Sequence, residues 1–233
     1  MNKPELAAVM PVFNEEEIIA AVVSKWTKEF ERLGINYKFH IYDASTDKTS
    51  DILNKIGNKN IIVHKRPRLG HGPDLVYGYR ENSDSEWIFQ IDSDDEMGTE
   101  GFESLWKNKE KFDLLLGRRN RKNQPFTRQI ISFISRLVIK VFYGNKVYDV
   151  NSPYRLMKSS GFKTLYMKLP DDLCIPNIVI SGYASLKNLR VFETEVSHSQ
   201  RKTGTVSIQK MKLLKIAFKS FLQAITFRFS INN

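Results

Sequence analysis

The feature that most constrains this chain is the rhythm of its first hundred residues, in which short apolar runs alternate with helical patterns. "LAAVMPVF" reads as a buried strand, and Asn14 followed by Glu17 makes a capping-box-like start for a helix through "EEIIAAVVSKWTKEFERLG". "YKFHIYD" is a second strand, "STDKTSDILNKIG" a capped helix, "NIIVH" a third strand, "GPDLVYGYREN" a helix and "EWIFQID" a fourth strand. Strands that alternate with helices pair in parallel, because each helix carries the chain back across the sheet. The pattern therefore predicts an α/β fold: a mostly parallel, doubly wound sheet flanked by helices. Ligands of such sheets sit at the carboxyl ends of the strands.

That edge is where the most unusual stretch falls. In "WIFQIDSDDEMG" four acids, Asp92, Asp94, Asp95 and Glu96, occupy five positions directly after an apolar run, in a chain of formal net charge +10. Asp92 and Asp94 stand two apart at a strand end and converge on one point. Hard carboxylate oxygens in that arrangement suit Mg²⁺ or Mn²⁺ rather than zinc, and an ion held by few protein ligands keeps positions open for substrate phosphates. In isolation, the same acids would also serve as a solvated turn capping the helix in "TEGFESLW".

The basic residues are clustered too. Eight Lys/Arg and no acid lie between Arg118 and Lys146, and seven more, again without an acid, lie from Arg201 to the end. A polyanion or an anionic membrane surface is the natural partner class. The single cysteine, Cys174, excludes an internal disulfide and any multi-cysteine metal site. No signal-peptide pattern opens the chain, and no apolar run approaches the roughly 18 residues that a membrane span needs. At 233 residues and 41% hydrophobic composition, the chain suffices for one domain with a tail, set at 1–207 and 208–233.

Four stretches in order, "VMPVFNEEEII", "IYDASTDKTSDIL", "GHGPDLVYGYREN" and "FQIDSDDEMG", resemble family 2 glycosyltransferases of the GT-A fold. The later "LLLGRRNRK", "TRQIISFISRLVIKVFYG", "VYDVNSPYRLM" and "SHSQRKTGTVS" are similar to the subgroup of dolichyl-phosphate mannosyltransferase and its bacterial polyprenyl-phosphate relatives. The resemblance runs through about Ser207. It implies a metal-dependent, inverting hexose transfer from a nucleotide sugar to a polyprenyl phosphate, with a cell-surface glycan as the alternative acceptor. It implies a nucleotide-sugar site at Pro11, Phe13, Glu15, Asp43, Asp92 and Asp94, and a metal site at Asp92, Asp94 and Glu96. The acceptor phosphate falls to Arg119, Arg128, Ser132 and Arg201, with Asp149 and Asp94 carrying the chemistry. Tyr42-Asp43-Ala44 departs from the family's usual Asp-Asp-Gly, and Glu96 stands where Gln is frequent. Asp95 is expected to face solvent.

Beside the resemblance, the residues carry their own readings. Pro11 ends a strand and Glu15 suits the first turn of a helix. Asp149, followed by "NSP", is equally a turn-capping or Arg155-pairing aspartate. If the nucleophile is a hydroxyl, a carboxylate base is useful; if it is a phosphate monoester, already anionic, Asp149 orients groups or balances the arginines. Arg128, Ser132, Arg136 and Lys140 recur every four residues, which places one polar stripe on an otherwise apolar helix. Arg pairs with phosphate oxygens while the apolar faces lie against lipid or protein. From Ser207 onward, Met211, Leu214, Phe218, Phe221, Leu222 and Ile225 oppose Lys212, Lys215 and Lys219, a basic amphipathic C-terminal helix that is either membrane-interfacial or packed on the domain.

Of the histidines, His40 is structural on its strand pattern. His64 and His71 lie at loops on the ligand edge, and none is assigned to the metal. The expected setting is cytoplasmic, peripheral at the inner face of the membrane, with an oligomer possible. A nucleotidyltransferase would need a glycine-rich basic loop where "PVFNEEE" supplies acids. A nucleic-acid-binding module would leave the acidic cluster unexplained.

Overall fold

The computed structural model describes residues 3–119, 140–141, 143–144, 146–199, 222–223 and 225–228. The predicted alternation is present. The strands and helices run β1 Leu6–Val12, α1 Ile19–Arg32, β2 Tyr37–Asp43, α2 Thr49–Asn54, β3 Ile61–Lys65, α3 His71–Glu81 and β4 Trp87–Gln90. After them come α4 Phe102–Asn108, a 3₁₀ turn at Lys109–Lys111, β5 Leu114–Arg119, β6 Arg155–Lys158, α5 Ser159–Lys168, α6 Pro176–Leu186 and β7 Val191–Val196.

The seven strands form one sheet in the order β3-β2-β1-β4-β6-β5-β7. β1 pairs in parallel with β2 and β4, β2 with β3, and β5 with β7; β6 alone runs antiparallel, between β4 and β5. Every residue of β1 is buried, as a central strand covered on both faces requires. Its side chains alternate between two cores. Ala7 and Val9 join Tyr42, Tyr79, Phe162 and Tyr166 on one face; Leu6, Ala8, Met10 and Val12 join Trp26, Phe30, Phe89 and Phe102 on the other. On the first face α3 lies so close that a Cβ on Gly78 would stand 2.7 Å from Val9 Cγ1 and 2.8 Å from Tyr42 Cε2, so only glycine fits. Tyr42, where the related family carries an acid, is thereby a core residue beneath α3.

Two local expectations are corrected. Asn14 does not cap α1: the helix starts at Ile19, after a turn, and Ile18 at its N-cap position makes no side-chain capping bond. Asn14 instead takes a positive φ of 55° and ties two loops together. Its backbone N–H donates to Ser45 Oγ at 2.9 Å, and its Oδ1 accepts from the Thr46 N–H at 2.8 Å. Glu15 therefore precedes α1 rather than sitting in its first turn, and its N–H donates to Thr49 Oγ1 at 2.9 Å.

The tail returns to the domain where it is described. Phe227 is 6% exposed and belongs to the first core, and Gln223 Oε1 accepts from the Cys174 N–H at 3.1 Å. That part packs, whereas the helix expected over the rest of 208–233 lies outside the described residues. Among the described residues no helix is long and apolar enough to cross a membrane.

Candidate active site

Because β1, β2 and β4 are parallel neighbours, their carboxyl ends open on one edge, and the loops that follow them share it. The chain leaving β4 carries the acids into a small open cleft lined by Asp92, Asp94, Glu96, Arg119, Pro153 and Tyr154. The predicted metal triad and the first predicted acceptor arginine thus share one space, although 23 residues of sequence separate Glu96 from Arg119.

Asp92, Asp95 and Glu96 have partners from distant segments, and Asp94 accepts locally. Asp92 Oδ1 is 2.9 Å from Nε2 of His71, the first residue of α3. Burial pushes the Asp92 carboxyl up, but the His71 charge and hydrogen bond, with Arg119 beyond, outweigh it and hold the group below the usual carboxylate range. Asp94 Oδ1 accepts from the Glu96 N–H at 3.1 Å, a local turn that aims both side chains into the cleft. Glu96 Oε2 lies 3.2 Å from His198 Nε2, and its carbonyl accepts from the Ser199 N–H at 2.9 Å. Asp95 does not simply face solvent: it forms a 2.9 Å ion pair with Lys25 of α1.

Three carboxylates with hard oxygens suit Mg²⁺ or Mn²⁺. Among the described residues no three His, Cys, Asp or Glu side chains stand close enough to cage an ion. The fit is therefore to an open site, in which one or two carboxylates and substrate oxygens share the ion.

The opposite wall is built around Asp149, which is 0% exposed. Arg119, at the end of β5, forks onto it: Nε donates to Oδ2 and Nη2 to Oδ1, both at 3.1 Å, and the Arg119 N–H adds a 3.4 Å contact. Burial lowers the Arg119 pKa, but the Asp149 hydrogen bonds and charge more than offset this and keep the guanidinium charged. Asp149 pairs with Arg119, then, and not with Arg155. Arg155 is itself 0% exposed, and burial pulls its pKa down to about 10, so it stays charged at neutral pH.

The remaining predicted nucleotide residues gather on the β1–β2 side. Phe13 lies under the Arg68 guanidinium, 4.1 Å from ring centroid to Cζ, and Pro11 pairs with Tyr42 in the sheet. Asp43 is buried and has partners within the chain: Oδ1 accepts from the Ser45 N–H at 2.9 Å, and Oδ2 from Ser50 Oγ and, at 3.2 Å, Lys65 Nζ. Burial raises its pKa, but these hydrogen bonds outweigh it and leave the carboxyl below its ordinary value.

A family model described as Glycosyl transferase family 2 matches residues 7–229. The chain belongs to glycosyl transferase family 2. An undecaprenyl-phosphate 4-deoxy-4-formamido-L-arabinose transferase of Proteus mirabilis is 22% identical, over 92% of this chain and 66% of the relative. A dodecaprenyl-phosphate galacturonate synthase of Rhizobium johnstonii is 26% identical, over 86% of this chain and 60% of the relative. The chain thus spans about two thirds of the length of these curated relatives. A glucosyl-3-phosphoglycerate synthase from Mycobacterium tuberculosis, solved with Mn²⁺, uridine diphosphate and phosphoglyceric acid, superposes with a TM-score of 0.68 at 13% identity. It covers 97% of this chain and 78% of that one, a likeness of fold.

In this family 2 chain, the structure brings Asp92, Asp94, Glu96 and Arg119 to one cleft and sets Asp149 behind Arg119. Pro11, Phe13, Glu15 and Asp43 lie along the neighbouring rim. Arg128, Ser132, Arg136 and Arg201 lie outside the described residues. The sequence alone suggests His71 only as a residue lining the sugar-nucleotide cleft, assigns His198 no role, and offers Arg155 only as a partner of Asp149. The available signal for His71 was its place at the start of the helix after β3, on the ligand edge; Arg155 gave none.

Proposed function

We propose that this chain is an inverting glycosyltransferase that moves a hexose from a nucleoside-diphosphate sugar to a polyprenyl phosphate with Mg²⁺ or Mn²⁺. The observation that carries the reading is the cleft itself, where an open cluster of carboxylates faces a guanidinium held in place by a buried aspartate. Two relatives whose names specify polyprenyl-phosphate acceptors support it.

The nucleoside lies along the rim formed by Pro11, Phe13, Glu15 and the loop that Asp43 holds, and its diphosphate reaches Asp92 and Asp94. Asp92 and Asp94, with Glu96 near, would hold a divalent ion, which would supply neutralisation of the leaving diphosphate. Arg119 binds the acceptor phosphate, joined by Arg128, Ser132 and Arg201 from the basic segments. One phosphate oxygen attacks the anomeric carbon, the bond from that carbon to the diphosphate oxygen breaks on the far face, and the diphosphate departs with the bonding pair. A phosphate monoester is anionic at neutral pH and needs no base, so Asp149, buried and forked by Arg119, acts by orienting that arginine. An isoprenoid acceptor puts this work at a membrane surface, at its cytoplasmic face, to which the basic segments are drawn.

The test is a panel of UDP-, GDP- and dTDP-sugars incubated with polyprenyl phosphate and either ion, following sugar-lipid product and free nucleoside diphosphate. One donor giving sugar-lipid supports the reading. Transfer only to glycan hydroxyls, or to nothing, overturns it.

A further inference from the structure

Arg155 is completely buried on the acceptor wall, and among the described residues no carboxylate hydrogen-bonds to it, although the Asp149 charge acts on it from farther away. Its guanidinium donates only to main-chain carbonyls: Nε and Nη2 to Ser152 at 2.9 and 2.6 Å, Nη2 to Val150 at 3.4 Å, and Nη1 to Asn177 at 3.0 Å. A buried charge whose hydrogen bonds go only to carbonyls is expensive to keep. The first two of those residues belong to the loop that carries Asp149.

Other bolts close on the same loop. Ser181 Oγ donates to the Val150 carbonyl at 2.8 Å, Ser152 Oγ donates to the Gly117 carbonyl at 2.6 Å, and Glu193 Oε1 accepts from the N–H groups of Tyr148 and Asp149 at 3.0 and 3.1 Å. Arg155 and Ser181 both tie the loop to α6, and Arg155 does so with four donor contacts, three of them to loop carbonyls. Arg155 also adds a positive charge to the wall that the phosphate approaches, and it interacts with the Asp149 carboxylate through space.

We propose that Arg155 is the positioning residue of the acceptor end: it clamps the Asp149 loop through the carbonyls of Val150 and Ser152 and so presents Asp149 to Arg119. The proposal rests on the phosphate-acceptor reading above. A purely structural Arg155 would affect stability and nothing else.

The experiment compares Arg155→Lys and Arg155→Met with the unaltered chain. Lys keeps the charge but its ammonium does not span three carbonyls. For Arg155→Lys the expected result is a tenfold to hundredfold fall in kcat/KM for polyprenyl phosphate, carried mainly by KM. UDP affinity by calorimetry should stay within twofold, and amide exchange should quicken over residues 147–154 while β1 and α1 keep their protection. Arg155→Met should lose more on every acceptor measure; if it does not fold, Arg155→Lys decides alone. Wild-type acceptor kinetics with unchanged exchange in folded Arg155→Lys overturns the proposal, as does an equal loss of UDP and acceptor binding. If the unaltered chain transfers to no polyprenyl phosphate, the functional reading has failed, and the exchange comparison still decides whether Arg155 clamps the loop.

Discussion

Replacing Asp149 by Asn changes one atom in a fully buried place, and its cost follows from the Arg119 geometry. The carboxylate accepts from Nε and Nη2 at 3.1 Å on separate oxygens. An asparagine of the same shape keeps one acceptor but turns an NH₂ toward the other guanidinium N–H, losing a hydrogen bond to a charged group worth about 1.5–3 kcal/mol. It also leaves Arg119 without its counter-charge, where breaking a buried pair costs about 3–5 kcal/mol. The Arg119 side chain is 18% exposed and keeps a 3.2 Å bond to the Asn151 carbonyl, so water and that carbonyl recover part of the loss. The net expectation is a destabilisation of about 3 kcal/mol, or a fall in Tm of roughly 6–12 °C for a chain of this size. Urea unfolding with an unchanged m-value measures it. In a cycle with Arg119→Gln the double variant should be less destabilised than the sum of the singles, by about 1.5 kcal/mol or more. A loss below about 1 kcal/mol, or simple additivity, would refute the claim that this pair organises the wall.

Asp94→Asn should leave the fold intact and weaken Mn²⁺ binding, measured by calorimetry with UDP present, by tenfold or more; unchanged affinity removes Asp94 from the metal site. His40 and His64 stack with their Nδ1 and Nε2 atoms 3.0 Å apart, and burial, with the His64 charge beside it, pushes the His40 pKa down to about 4 from 6.5. A folded value below the unfolded one means full stability above pH 6.5, loss as the pH falls from there toward 4, and no further loss below. His40→Gln should therefore flatten the pH dependence of Tm across that window, and an unchanged slope rejects the assignment. Phe227→Ala should cost about 3–5 kcal/mol in urea unfolding, because a buried aromatic is lost; a neutral result would mean that Phe227 contributes nothing to the core.

How far the sequence reveals the fold depends on the range of the interactions. β1 and β2 are legible because burial on both faces demands unbroken apolar runs, and the alternation with helices makes their pairing parallel. The start of α1 is not, since the local capping signal of Asn14 is overridden by partners at Ser45 and Thr46, 31 and 32 residues on. In the site, the acids announce themselves by sitting after a strand, and Arg119 and Asp149 emerge from the family resemblance. Their mutual fork does not, because it needs the pairing of β5 with β6 and β7 to bring position 119 to position 149. Arg155 is least legible: in "SPYRLMK" nothing separates a fully buried guanidinium from a solvated one at a strand's first residue.

The arrangement also explains why a chain this basic concentrates acids after β4. The acids that the proposed reading turns toward a ligand, Asp92 and Glu96, each have an imidazole nitrogen beside one carboxylate oxygen. Asp95 and Asp149 are instead taken up by an ammonium and a guanidinium, which use those charges to fix structure. The same residue type thus serves two purposes, separated by the strength and geometry of the partner. Because His71 opens α3 and His198 follows β7, the orientation of the two cleft carboxylates depends on segments 127 residues apart in sequence. A change in either segment therefore reaches these carboxylates through the imidazole contacts.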